Sequence, residues 1–235
     1  MNCTLPPRHL RKCGAVFQDD EHFFRSAEQE ADRLVTECSL TSESVLMDFG
    51  CGAGRLAIGI ESIMGHVHKY IGVDVDENAL TWARKRFPGG MFDFRISNAH
   101  NARYNNQGVR GLVPVPVEDD SCDVVYSYSV FTHMVMADVL HYLREFRRVL
   151  KDDGCAFFTA HTADDVPEVE VNPDNYPQPV LSDMRRRGAL HCVRYRTDVF
   201  AGLLKQAGLS VRNTSGEWHS QTGYYCVPDE AESTD

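Results

Sequence analysis

A short apolar stretch followed by three alternating glycines constrains this chain more than any other feature. Val45–Phe49 is apolar apart from one acid, a pattern typical of a buried parallel strand. Gly50, Gly52 and Gly54 follow, and glycines at this spacing allow positive φ angles and the close approach of a ligand to the backbone. Arg55–Ile63 then resumes at helical spacing. Because free N–H groups at the start of a helix face the preceding loop, this order of elements predicts a nucleotide-type site.

The next strand supports a ligand site over the alternative, a tight turn that binds nothing. Lys69–Asp74 is apolar and ends in an acid. An acid at the end of the second strand, about 20 residues after the glycines, is placed to accept hydrogen bonds from ribose hydroxyls. We therefore predict that Asp74 binds a ribose. Its alternative role, capping the following helix, falls better to Asp76.

Several segments resemble the class I S-adenosylmethionine-dependent methyltransferases. The first motif of that family is similar to Asp48–Arg55, and the second to Gly72–Leu80. Three further segments match: Ser121–Ser127, Ser129–Met134 and Arg147–Gly154. The last ends in Asp-Asp-Gly, where the family usually has Pro-Gly-Gly. The resemblance covers residues 45–161 and implies an α/β fold, a Rossmann-like seven-stranded sheet. Its order is 3-2-1-4-5-7-6, with strand 7 antiparallel and helices on both faces.

The resemblance implies S-adenosylmethionine as the cofactor and S-adenosylhomocysteine as the product. The cofactor-binding residues that it implies are Asp48, Gly50, Cys51, Gly52, Gly54, Arg55, Asp74, Val75, Asn98, Ala99, Ser127 and Ser129. Val75 is expected to pack on the adenine. Asn98 stands close to the place where the family often has an aspartate that contacts the adenine amino group. An amide is able to accept from that group and donate to a ring nitrogen.

Hydrophobic periodicity predicts the remaining elements. Helices are predicted at 21–38, 77–87, 136–150 and 197–207, and strands at 91–96, 123–128, 155–159, 209–213 and 223–227. The last two strands are expected to form an antiparallel hairpin, since no helix separates them. Its turn is expected at 214–222, on the catalytic face of the sheet.

The length predicts a single methyltransferase domain over residues 1–235. Residues 1–40 are expected to form an N-terminal tail and a helix. The resemblance implies that this helix covers the cofactor, and packing of Phe17, Phe23 and Phe24 in the core is the favoured alternative. Residues 162–192 are expected to form a lid-like insertion, because this segment is too long and irregular for a simple connection.

Two histidines are candidate catalytic residues. Methyl transfer from a sulfonium mainly needs positioning and exclusion of water, and a hydroxyl acceptor also benefits from a base. His133 follows the fourth strand and His161 lies at the mouth of the fifth, so each is a candidate base. A structural or orienting role for His133 stays open. Tyr128 and Trp218 are candidates to line the acceptor pocket, with ordinary packing as the alternative.

One loop and one run of arginines bear on the chemical identity of the methyl acceptor. Asn101–Gly108 resembles a pattern in a methyltransferase subgroup associated with sugar and cell-surface glycan pathways. This favours O-methylation of a sugar or similar metabolite, and N-methylation of a small molecule stays open. Arg185–Arg187, with Arg194 and Arg196, either clamps a phosphate or carboxylate of the acceptor or forms a solvated face.

Composition limits the partners. The net charge of -10 argues against broad binding to nucleic acid or anionic membranes. No apolar run approaches the roughly 18 residues that span a bilayer, and the N-terminus lacks the apolar core of a signal peptide. Eight scattered cysteines fit reduced thiols in a cytoplasmic protein, and no spacing suggests a metal site. A small-molecule acceptor is therefore the expected partner, and the sequence leaves a homodimer open.

Two other classes of function are compatible with part of the sequence. A nicotinamide-dependent oxidoreductase would need a small residue where Arg55 stands, to seat a pyrophosphate. A non-catalytic S-adenosylmethionine-binding regulatory protein would share the fold without the reaction. The intact glycines and Asp74 weigh against this second class.

Overall fold

The computed structural model describes residues 4–12, 14–173, 182, 186, 188–218 and 221–230. The helices are α1 (Asp20–Glu37), α2 (Arg55–Ile63), α3 (Glu77–Arg86), α4 (Met136–Val149) and α5 (Thr197–Gln206), with short 3-10 turns at Arg8–Leu10, Ala15–Gln18 and Phe131–His133. The strands are β1 (Val45–Phe49), β2 (Lys69–Asp74), β3 (Phe92–Ile96), β4 (Cys122–Ser127), β5 (Leu150–Ala163), β6 (Val169–Val171), β7 (Val193–Arg196), β8 (Leu209–Trp218) and β9 (Gln221–Pro228).

The main sheet confirms the predicted fold class and strand order. It runs β3-β2-β1-β4-β5-β9-β8, and β8 and β9 are the predicted sixth and seventh strands. The pairs β2–β3, β1–β2, β1–β4 and β4–β5 are parallel. Only β9 is antiparallel to its neighbours, β5 and β8. The carboxyl ends of β1, β2, β4 and β5 therefore meet at one edge, where ligands of open α/β sheets bind.

The predicted count of seven strands is wrong, because the region after β5 adds two. β5 continues past its predicted end at Thr159 as far as Ala163 and pairs in parallel with β7. β7 in turn pairs antiparallel with β6. Both added strands have four residues or fewer and alternate with charged residues, so their period-2 signal is too short to detect.

The predicted hairpin turn at 214–222 is also wrong. β8 continues to Trp218 and β9 begins at Gln221. Ser215 and Gly216 interrupt the hydrophobic pattern of β8, although backbone pairing continues across them to Gly223. Hydrophobic periodicity alone does not detect the part of a strand that keeps its backbone pairing but lacks alternating apolar residues.

Helices cover both faces of the sheet. Neighbouring residues on β5 point to opposite faces, so Phe157 joins the core beside α1 and α2 while Phe158 joins the core beside α4 and α5. Asp76 caps α3 as predicted, accepting from the backbone N–H groups of Asn78 at 3.0 Å and Ala79 at 3.3 Å. Within the ranges described above, no helix is both long and apolar enough to cross a membrane.

The contact between α1 and α2 depends on Gly59. A Cβ atom at this position would lie 2.0 Å from the Ala27 carbonyl oxygen and 3.2 Å from the Ala31 Cβ atom. We expect Gly59→Ala to lower the free energy of unfolding by about 1–3 kcal/mol, because a methyl group there forces the two helix backbones apart. Chemical denaturation measures this change.

Gly202 provides the matched control. It lies inside α5, and a Cβ atom there would meet nothing within 4 Å. Gly202→Ala is expected to raise the free energy of unfolding by about 0.5–1 kcal/mol, since alanine is the better helix former. Equal stability of the two variants would contradict the close helix contact.

Candidate functional site

A cavity of about 440 Å³ lies at the carboxyl ends of the parallel strands. The predicted site residues that line it are Asp48, Gly50, Cys51, Gly52, Arg55, Asp74, Val75, Ala99, Ser129, His133 and His161. Gly54, Asn98 and Ser127 do not line it. Both candidate bases thus share one cavity with most of the predicted cofactor-binding residues.

The three predicted residues outside the cavity have other surroundings. Gly54 is the N-cap of α2 with a φ of 78°, and a Cβ atom there would lie 3.1 Å from the Phe87 ring. Ser127 is buried at the end of β4. Asn98 is exposed, whereas its neighbour Ser97 is buried and lines the cavity. Since successive residues of an extended chain point in opposite directions, a shift of one position decides which of the two faces a ligand.

The glycine loop has the conformation that its spacing predicts. Gly50 and Gly52 have φ angles of 84° and 52°, in the left-handed region that favours glycine. A Cβ atom on Gly50 would lie 2.3 Å from the Val130 side chain, whereas one on Gly52 would meet nothing within 4 Å. Gly50 N donates to the Val73 carbonyl at 2.7 Å. The loop is thus anchored to β2, and the Gly52 backbone faces open space.

Asp74 is held by the backbone of its own site. Its Oδ2 atom accepts from Gly52 N at 2.7 Å, and its Oδ1 atom accepts from Asp76 N at 2.8 Å. Burial raises the pKa of Asp74, and these backbone hydrogen bonds oppose the rise. A carboxylate has further lone pairs for ligand hydroxyls. The glycine loop and the predicted ribose-binding acid therefore form one rigid unit.

Asp48 places a second acid beneath the glycine loop. It is buried, and Tyr70 Oη donates to its Oδ2 atom. Burial raises the pKa of Asp48 to about 7, and the Tyr70 hydrogen bond and the nearby Arg55 charge oppose the rise. A cationic group beside Asp48 would favour its ionised form. The site thus fits S-adenosylmethionine, which carries both a ribose and a positive charge.

A buried polar network, which the sequence did not predict, connects Arg55 to α1. Arg55 Nη2 donates to Tyr126 Oη at 3.1 Å, and Arg55 Nη1 donates to the Ser26 carbonyl at 3.3 Å. Tyr126 Oη in turn donates to Glu30 Oε2 at 3.1 Å. Arg33 Nε lies 3.5 Å from the same Glu30 oxygen. Burial raises the pKa of Glu30, and the Arg55 and Arg33 charges oppose that rise.

The network continues to the edge of the cavity. Arg33 Nη1 donates to Tyr225 Oη on β9 at 2.8 Å. The Arg55 guanidinium lies 4.7 Å from the centre of the Tyr128 ring, and Tyr128 is buried and lines the cavity; its place on the acceptor side stays a prediction. Glutamates and arginines on an amphipathic helix usually indicate a solvated face, so only the three-dimensional structure identifies this network.

The N-terminal segment also contributes to the cavity wall. Leu10, Arg11, Lys12 and Gly14 line it. Arg11 is buried, donates to the Pro6 carbonyl at 2.9 Å and pairs with Asp20 at 2.8 Å.

His133 lines the same cavity as Asp74 and lies beside His191. The two ring centres are 6.1 Å apart. Burial lowers the pKa of His133 to about 3, helped by the positive charge of Arg103 and by His191. In the described part of the chain, the buried Nδ1 atom of His133 has no hydrogen-bond partner. His133 is therefore neutral at physiological pH and retains a free ring nitrogen.

Gln221 is a cavity residue that the sequence analysis missed. Its Nε2 atom donates to Ser129 Oγ at 2.9 Å, and its Oε1 atom accepts from Thr159 Oγ1 at 2.6 Å. Thr159 Oγ1 also accepts from Ser129 N at 2.8 Å. The predicted seventh strand begins at Gly223, so Gln221 was assigned to the turn. Its position at the start of β9 fixes Ser129, which has a φ of 58°.

Several residues expected at the acceptor side do not reach it or cannot be placed. Arg194 pairs with Glu170 at 2.6 Å and Arg196 with Asp198 at 2.6 Å, and neither arginine lines the cavity. Arg186 is exposed. Arg185, Arg187 and the side chain of Trp218 lie outside the described residues, as does much of the expected lid at 162–192.

The order of the main sheet is that of a class I S-adenosylmethionine-dependent methyltransferase. Residues 47–158 match the family model described as a methyltransferase domain. Over this segment the resemblance seen in the sequence is confirmed, and S-adenosylmethionine is the cofactor that this class uses.

Two relatives and one solved structure that are similar to this chain are described as S-adenosylmethionine-dependent methyltransferases. A probable S-adenosylmethionine-dependent methyltransferase of Mycolicibacterium smegmatis is 25% identical over 86% of this chain and 64% of its own length. One from Mycobacterium tuberculosis is 30% identical over 57% of this chain and 41% of its own length. The chain thus spans less than two thirds of each of these relatives. A methyltransferase structure from Aquifex aeolicus shares the fold, with a TM-score of 0.54 and 16% identity over 85% of this chain and 89% of that one.

Proposed function

We propose that this protein transfers a methyl group from S-adenosylmethionine to a hydroxyl group of a small polar acceptor, a sugar or similar metabolite first. The single cavity that joins the glycine loop and Asp74 to His133 and His161 carries this proposal. One end offers the contacts that a nucleoside needs, and the other offers histidines to an acceptor. The loop at Asn101–Gly108, which resembles the glycan-associated subgroup, contributes Asn101, Arg103 and Tyr104 to the wall.

The cofactor supplies a methyl group already activated on a sulfonium. The chain's own residues would position it: Gly52 would offer open backbone, Asp74 would hold the ribose and Asp48 would favour the positive charge. Ser97 and Ala99 lie where β3 ends, within reach of an adenine. Enclosure by these groups excludes water from the sulfonium.

His133 is the proposed proton acceptor on the acceptor side. Its pKa of about 3 keeps the ring neutral, so that one ring nitrogen is available to accept a proton. The same low pKa makes the ring a weak base in the free protein. An acceptor hydroxyl placed at Nδ1 would give this buried nitrogen a hydrogen-bond partner. His161 is the second candidate, and an orienting role for His133 is the alternative.

The location and partners remain proposals. The described cysteines at 38, 51, 122, 155 and 226 are free and buried, which supports a reducing compartment such as the cytoplasm. A small-molecule acceptor, rather than nucleic acid or membrane, stays our prediction, and a homodimer stays open.

Measuring the release of S-adenosylhomocysteine tests the proposal. The protein is incubated with S-adenosylmethionine and a panel of free sugars, sugar phosphates, sugar acids and small amines. Turnover with hydroxyl acceptors would support O-methylation, and turnover with amines alone would support N-methylation. Cofactor binding without any product would favour a regulatory protein. Preferred binding of a nicotinamide dinucleotide in calorimetry would overturn the class.

A further inference from the structure

The acceptor end of the cavity collects basic side chains from four separate segments. Arg103 comes from the loop after β3, His133 from the turn after β4, His161 from β5 and His191 from the segment before β7. The whole chain is acidic, with a net charge of -10, so a cluster of basic residue types differs from the average composition of the chain. Four segments distant in sequence thus bring one arginine and three histidines to the wall of the same cavity.

Among the described residues, Arg103 lacks the acid partner that Arg95 and Arg148 have. Within the described ranges, no carboxylate lies within 4.0 Å of its guanidinium, which stacks at 5.0 Å on the Tyr104 ring. Arg95 and Arg148, in contrast, pair with Asp93 and Glu145 at 2.8 Å. Arg103 is half-buried, and a partly desolvated charge that has no carboxylate beside it in the described part of the chain is costly.

The acids that line the cavity are occupied elsewhere. Asp48 and Asp74 accept hydrogen bonds from Tyr70 and from the glycine loop, and Asp76 caps α3. Asp138 is the remaining acid of the wall. Asp138 lines the cavity and, together with burial, raises the pKa of Tyr142 and Tyr195, so its carboxylate lies near these two tyrosines.

Arg103 instead acts on the histidines. After burial, its positive charge is the next cause that lowers the pKa of both His133 and His191. The Nδ1 atom of His133 is buried and without a partner in the described part of the chain. An anion placed between these groups would pair with the guanidinium and accept from an imidazole that gains a proton.

We infer that Arg103, with His133 and His191, binds an anionic group of the acceptor, a carboxylate or a phosphate. A planar guanidinium matches either group with two parallel hydrogen bonds. This inference rests on the proposed function, because it assigns the chemistry of the acceptor in the same cavity. It also transfers to Arg103 the role that the sequence analysis gave to Arg185–Arg187, Arg194 and Arg196.

The test uses small anions on the full chain saturated with S-adenosylhomocysteine. Inorganic phosphate and acetate are titrated separately, and binding is followed by histidine ring signals in NMR spectra and by calorimetry. Saturable binding with shifts of the His133 and His191 signals is expected. Arg103→Gln should weaken it about tenfold or more, the scale of hydrogen bonds to charged groups. Arg103→Lys, which keeps the charge and loses the fork, should fall between.

Arg110→Gln is the matched control, since Arg110 is exposed in the same loop and does not line the cavity. Tighter binding of phosphate than of acetate would identify a phosphorylated acceptor, and the reverse a carboxylic acid. The inference is overturned if neither anion binds saturably, if Arg110→Gln weakens binding equally, or if S-adenosylhomocysteine displaces the anion. Failure of S-adenosylhomocysteine to bind at all counts against the proposed function, whereas its binding without anion binding counts against this inference alone.

Discussion

Asp74→Ala is expected to weaken the binding of S-adenosylmethionine by about 1.5–3 kcal/mol, or roughly 10- to 150-fold. The carboxylate is the proposed partner of the ribose hydroxyls, and it also fixes Gly52 N at 2.7 Å. Its removal therefore takes away a charged hydrogen-bond acceptor and loosens the loop that faces the cofactor. Isothermal titration calorimetry measures the affinity.

Two further variants separate these contributions. Asp74→Asn keeps an oxygen for Gly52 N and loses the charge, so its affinity should lie between those of the wild type and Asp74→Ala. Glu77→Ala removes an exposed acid from the first turn of α3, outside the cavity, and should leave the affinity unchanged. Unchanged affinity in Asp74→Ala would refute the ribose assignment.

Glu30→Ala is expected to lower the free energy of unfolding by about 3–5 kcal/mol, because it leaves buried positive charges without their acid. Glu30 is 1% exposed, lies 3.5 Å from Arg33 and accepts from Tyr126 at 3.1 Å. Denaturation with urea at constant pH measures the loss.

Glu21 gives the control on the same helix. It pairs with Arg25 at the surface, and both side chains are more than half exposed. Glu21→Ala should change the stability by no more than about 0.5 kcal/mol, as exposed ion pairs contribute little. Similar losses in the two variants would show that Glu30 does not anchor the network.

The elements with strong local signals could be predicted from the sequence. β1 and α2 have the predicted bounds. An apolar run with a single acid and a regular helical period mark where each element begins and ends. The order of the main sheet follows from the alternation of strands and helices. The glycine conformations follow from the spacing of residues without a Cβ atom.

The remaining features depend on contacts between distant segments. Gln221 meets Ser129 across the sheet, and Glu30 meets Arg55 between two helices. Neither residue type suggests burial. At the end of β3, the sequence favoured Asn98 for its amide, whereas the chain direction turns Ser97 into the cavity. A choice between neighbours at the end of a strand needs the backbone geometry.

Because buried charges hold α1 in place, they also restrict where ligands enter and leave the cavity. Gly59 against the Ala27 carbonyl and Glu30 between two arginines hold this helix on the sheet, so it forms a permanent wall. Elsewhere on the cavity wall, the N-terminal segment meets the loop after β3, where the Lys12 ammonium lies 5.6 Å from the centre of the Tyr104 ring. Exposed contacts of this kind are weak and open readily. Product should therefore leave, and fresh cofactor enter, between Lys12 and Tyr104 while α1 stays in place.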